Sequence, residues 1–142
     1  MKTVLLHEAF GDHQVANVAT EVEARTIGSR LRLPATDPGR NVDRQPYFGI
    51  PTLGSFPYDG NALVVWDIGP LRPPGCTGDA CLGTPPPPTT NTPPRIGVDP
   101  HDLVIDSEAR IRRQIAEFLK IDGRVIDVCG ADPCHAAGWT GP

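Results

Sequence analysis

The sequence predicts an α/β fold built from two or three strands, two helices and long Pro/Gly-rich loops. Three observations carry that expectation. An apolar run within residues 3–10 ends at Gly11-Asp12 and gives way to helical spacing. A β-branched and aromatic run fills 62–68, and 106–119 carries one continuous apolar helical face.

Residues 3–10 read as a buried strand because Val4, Leu5 and Leu6 are consecutive, the pattern of a central strand in a parallel sheet. Gly11-Asp12 is a turn signal. Residues 15–27 read as a helix with Val15, Val18, Ala19 and Val22 at i, i+3, i+4 and i+7 as its apolar stripe, and with Gly28 as its stop. Five prolines between 34 and 57 deny that stretch long regular elements. Tyr47, Phe48, Ile50, Leu53 and Phe56 nonetheless give it apolar weight, so it reads as a long loop lying on a core.

Asp59-Gly60-Asn61 turns the chain into the second strand, Ala-Leu-Val-Val-Trp-Asp-Ile at 62–68, which Gly69-Pro70 ends. Residues 70–98 form an irregular Pro-rich insertion, and its 84–94 tract favours polyproline II. That tract reads as a surface loop or as a ligand for a proline-recognition domain. The helix at 106–119 takes Asp106 or Ser107 as its cap, Glu108 in its first turn, and Ile111, Ile115, Phe118 and Leu119 as its buried face. Asp122-Gly123 stops it, and 124–129 read as a short strand or an extended tail. Residues 1–128 thus form one α/β portion, and 129–142 a Cys-containing irregular tail.

Composition bounds the function classes. Seventeen prolines and fifteen glycines in 142 residues call for long irregular connections, while a hydrophobic share of 39% still allows a core. Net charge is −4 with no dense Lys/Arg run, which argues against nucleic acid as a partner. Arg110, Arg112 and Arg113 read as a solvated helix face. No apolar run approaches the roughly 20 residues of a membrane span. After Lys2 the apolar run stops at His7-Glu8, short of the about 7–15 residues of a signal peptide, so no export signal is read here.

The four cysteines form two pairs of like spacing, Cys76 with Cys81 and Cys129 with Cys134. Three readings stay open: two local disulfides, a four-Cys zinc site at the margin of its usual spacing, or four free thiols. The disulfide reading implies an oxidising compartment, periplasmic or extracellular. His135 beside Cys134 adds a little to the metal reading, although a histidine in a tail is ordinarily solvated.

No Gly-x-Ser-x-Gly, Gly-x-Gly-x-x-Gly, P-loop or His-Glu-x-x-His occurs, which disfavours a self-contained hydrolase, NAD enzyme, NTPase or zincin. Cofactors are therefore not expected. What remains is Asp12, just after the first strand, where open α/β sheets place functional groups, and His101 in the loop Asp99-Pro100-His101 after the second strand. Acid before histidine is the chain order of an α/β-hydrolase relay. Each also has a plainer reading: Asp12 as a turn former or helix cap, His101 as an exposed loop residue. His13 and His7 are alternatives, with His7 more naturally packed inside its strand, and Trp66 and Trp139 need no role beyond packing.

The stretches 3–15, 62–67 and 99–101 leading into 112–119 resemble the carboxyl-terminal part of an α/β-hydrolase-fold protein, esterase- or lipase-like. They cover about half of the chain and look like its penultimate strand with the acid, its last strand, and its histidine loop with the closing helix. The resemblance implies an incomplete hydrolase-like fragment, with Asp12 as orienting acid and His101 as general base of ester or acyl hydrolysis. It also implies that the nucleophile lies upstream of Met1, that the partner is the missing amino-terminal part, and that the chain is inactive alone. Such a fragment would leave sheet edges unpaired, so marginal folding and association are expected. The rival readings are a small disulfide-clipped, non-catalytic binding module and a partly disordered adaptor recognised through its proline tract.

Overall fold

The computed structural model describes residues 3–41, 43–69, 77, 99–101, 108–136 and 139. The Pro-rich tract and Asp106 and Ser107 as helix caps lie outside the described residues. So do Cys76 and Cys81, and with them the expected disulfide between those two positions. The described part is an α/β arrangement: a four-stranded sheet with every strand pairing parallel, and two helices. In chain order the elements are β1 (Leu5–Ala9), α1 (Asn17–Ile27), β2 (Arg30–Leu31), β3 (Ala62–Asp67), α2 (Ala109–Phe118) and β4 (Cys134–His135). Among the described residues no helix is long and apolar enough to cross a membrane.

β3 is the centre. All six of its residues are buried, the pattern of a strand covered on both faces. β1 lies along one edge in the register Leu5↔Ala62 to Ala9↔Trp66. The other edge is shared: β2 pairs with Ala62 and Leu63, and β4 pairs with Trp66 and Asp67. Side-chain alternation along β3 splits the core in two. Leu63 and Val65 join Phe10, Leu31 and Ile50 under α1, while Val64 and Trp66 join Ile111 and Cys134 under α2.

Several expectations need correction. The run at 3–10 is not the central strand: β1 spans Leu5–Ala9, its leucines are half-buried, and β3 takes the central place. The apolar stripe of α1 faces outward, with Val15, Val18 and Val22 at 41–54% exposure, and the buried face is Asn17, Glu21 and Ala24. Asn17 sets this phase. Its side chain accepts from the Gly11 N–H at 2.8 Å and donates to the Ala9 carbonyl at 2.7 Å, pinning position 17 to the end of β1. At 3.6 residues per turn, 21 and 24 then share its face and 15, 18 and 22 point away. Gly28 ends the helix in the left-handed region, φ 70°, as expected.

The second helix is capped by Glu108, whose carboxylate accepts from the Arg110 N–H. Its buried face is Ile111 and Gln114, while Leu119 is exposed. Arg110 is not simply solvated, because it pairs with Glu108 at 2.8 Å, donates to the His135 carbonyl, and lies over the Trp66 ring. Of the segment 124–129, Val125 bridges to Tyr58. The tail is not irregular throughout, since 134–135 form β4, and a disulfide between Cys129 and Cys134 closes the loop before it. Buried Arg32 ties this tail to the sheet by donating to the carbonyls of Pro34 and Gly130. β2 itself was not expected from the sequence.

Two titratable groups on opposite faces of β1, half-buried His7 and buried Glu8, oppose each other in pH dependence. Burial lowers the pKa of His7, with the Gln114 hydrogen bond acting the other way. Below about 6.5 the unfolded chain takes up a proton that the folded ring refuses, so stability is lost as pH falls. Burial, then repulsion from Glu21, raises Glu8 well above the ordinary value, and neither of its oxygens has a hydrogen-bond partner. Above about 4.3 the unfolded chain releases a proton that folded Glu8 keeps, so stability is lost as pH rises. The stability difference between Glu8→Gln and the natural chain should be near zero at pH 4. It should grow to on the order of 1–3 kcal/mol in favour of the variant by pH 7. Urea melts across that range check this, and a difference independent of pH would refute it.

Candidate functional site

Because all four strands run parallel, their carboxyl-terminal ends share one rim, the place where open α/β sheets gather ligand-binding and reacting groups. β1 delivers the Asp12 turn to that rim. Gly11 makes the bend at φ 84°, a value that favours glycine. Asp12 is buried, and its Oδ1 accepts from the N–H groups of Gln14 and Val15, both at 2.8 Å. Its Oδ2 lies 2.7 Å from Nδ1 of His101, 89 residues along the chain. One oxygen of Asp12 thus holds the turn and the other faces the imidazole.

Asp99 locks the two loops together. Its Oδ1 accepts from the backbone N–H of His13 at 3.2 Å and of His101 at 3.1 Å. The bond within Asp99-Pro100-His101 is an Asx turn, legible from sequence; the bond to His13 is not. His101 is 31% exposed at its side chain and Asp12 9%, so the pair opens to solvent on the imidazole side. A carboxylate on Nδ1 fixes the ring's orientation and stabilises its cation, and proton exchange then falls to Nε2 on the far side of the ring. His7, by contrast, is packed as expected, edge-on to Trp66 and hydrogen-bonded to Gln114. His13 is buried.

The rim continues across β3. Asp67, fully buried, holds Arg40 through two bonds of 2.6 and 3.1 Å and accepts from the Gly69 N–H. The Arg40 guanidinium lies over the Phe10 ring, which joins this group to the Asp12 turn. Beyond it stands a second histidine–carboxylate pair, His135 Nε2 at 2.7 Å from Asp37 Oδ2, with Trp139 stacked on His135 at 3.8 Å. This pair uses Nε2 where His101 uses Nδ1. Reading His135 as a solvated tail residue missed it, because the signal is tertiary: Asp37 lies 98 residues away.

The cysteines are partly resolved. Cys129 and Cys134 form a disulfide, so the readings as four free thiols or as a four-thiolate zinc site do not hold. The other half of the two-disulfide expectation, Cys76 with Cys81, lies outside the described residues. Among the described residues no group of three or more His, Cys, Asp and Glu could hold a metal ion. An open cavity of about 570 Å³ lies under the loop 33–47, and neither Asp12 nor His101 lines it. The Asp12–His101 pair and this concavity thus occupy different places.

No protein-family model, curated protein or solved structure matches this chain.

The Asp12–His101 contact fixes a tautomer. In the natural chain the neutral His101 ring should carry its proton on Nδ1. Asp12→Asn should move the proton to Nε2, since the amide presents a donor where the carboxylate accepted. Imidazole ¹⁵N shifts read this directly, and an Nε2–H tautomer in the natural chain would refute the contact.

Proposed function

We propose that Asp12 and His101 are the orienting acid and general base of an ester or related acyl hydrolase of the α/β-hydrolase kind. The observation that carries this is their 2.7 Å contact through Nδ1, on the rim where parallel sheets hold reacting groups. In this reading a serine hydroxyl supplied from outside the chain attacks the ester carbonyl carbon as His101 Nε2 takes its proton. The proton then passes to the leaving alkoxide oxygen, and water repeats the cycle to release the acid. Asp12 holds the ring in place and stabilises the imidazolium. The partner that brings the serine is the amino-terminal part of the same protein, and the substrate is a small ester. The Cys129–Cys134 disulfide supports a periplasmic or extracellular setting.

A second reading, a disulfide-clipped and non-catalytic binding module, draws on that disulfide and on the cavity under 33–47. Turnover separates the two.

Expressed together with the coding sequence that precedes residue 1, the chain should hydrolyse p-nitrophenyl butyrate. His101→Ala or Asp12→Asn should then lower kcat on the order of ten-thousand-fold. The chain alone should release no burst of nitrophenol. Full activity in His101→Ala, or a preceding sequence without a serine nucleophile, sinks the relay.

A further inference from the structure

The cavity under 33–47 has a volume, about 570 Å³, typical of small-molecule sites. Its wall is mainly apolar, including Leu33, Pro38, Pro46 and Tyr47. Prolines fix their own backbone φ, so much of this wall is formed before any ligand arrives.

The charge on the wall has one sign. Among the described residues that line it, Asp37 and Asp43 carry the charge, and no lysine, arginine or histidine is present. Two carboxylates deeper in the fold are balanced by arginines: Glu21 by Arg25 at 3.4 Å and Asp67 by Arg40 at 2.6 Å. Asp37 has His135 as its partner, and Asp43 is exposed; among the described residues neither meets a lysine or arginine. The Tyr47 hydroxyl adds no anion to the wall, because burial holds its pKa well above the ordinary phenol range.

We propose that this cavity is a binding site for a small organic cation, an alkylammonium with an apolar body. The ammonium faces Asp37 and Asp43, and the body packs on Leu33, Pro38, Pro46 and the Tyr47 ring, whose face also suits a cation. A hard divalent ion fits this wall poorly, because such ions take about six to eight oxygen ligands and much of the surface here is carbon. The inference does not depend on the acyl-transfer reading, since no residue of the Asp12–His101 pair lines the cavity.

The test titrates the full ¹⁵N-labelled chain at low salt with benzyltrimethylammonium, with neutral benzyl alcohol, and with anionic phenylpropionate. Saturable shifts confined to 33–47 are expected with the cation, with affinity at least about fivefold above benzyl alcohol. Fivefold is roughly the worth of one ion pair at 4 Å in water. Asp37→Asn with Asp43→Asn should erase that preference and leave the benzyl alcohol affinity unchanged. Asp43→Asn alone, at an exposed position that cannot unfold the chain, should remove part of it. No saturable shift in 33–47, equal or tighter binding of the anion, or a preference that survives both substitutions would overturn the proposal.

Discussion

The rest of the structure depends on burying β3. A strand buried at every residue must satisfy its backbone groups through neighbours on both edges and cover two faces with apolar side chains. β1 meets that demand on one edge, while β2 and β4 divide the other. Because all three run parallel to β3, their ends fall on one rim, and that rim collects Asp12, Asp67 and His135 from three separate strands. Site geometry here is thus a by-product of how one strand is enclosed.

Helix α1 shows a local polar contact overriding amphipathic spacing. Burying three valines would ordinarily decide which way a helix turns. Here the Asn17 side chain takes the Gly11 N–H and adds a second bond to the Ala9 carbonyl, which also accepts from the Asp12 N–H. An orphaned buried N–H or C=O costs about 1–3 kcal/mol, and Val15, Val18 and Val22 stay outside. The inward face is left to Asn17, Glu21 and Ala24, with Glu8 opposite on β1. Asp12 sits at the same junction and shares its two oxygens between the turn and the imidazole.

What was legible in the sequence followed from local physics. The 62–67 strand, the Gly28 stop, the Asp59-Gly60 turn and the packed position of His7 each depend on neighbouring residues. Placing Asp12 and His101 on one rim needed only parallel topology and the order of elements. The misses are tertiary. Nothing near Arg30-Leu31 announces a strand, because β2 exists through pairing with Ala62 and Leu63. Nothing near His135 announces Asp37, and the Arg40–Asp67 bond joins a loop to a strand end 27 residues on. The helix stripe misled because periodicity reports which residues share a face and not which face turns inward.

The all-parallel sheet has a kinetic consequence. Parallel neighbours cannot be joined by a tight hairpin, so each pairing must close a long stretch of chain. Val4 and Asn61, which join the start of β1 to that of β3, are 57 residues apart, and β4 reaches β3 from farther along still. The entropy of closing those loops is spent before any ladder bond forms, and topologies of this kind fold slowly for their size. Until that closure the apolar run of β3 stands open to other chains, and the speed of assembly then matters as much as the depth of the native well.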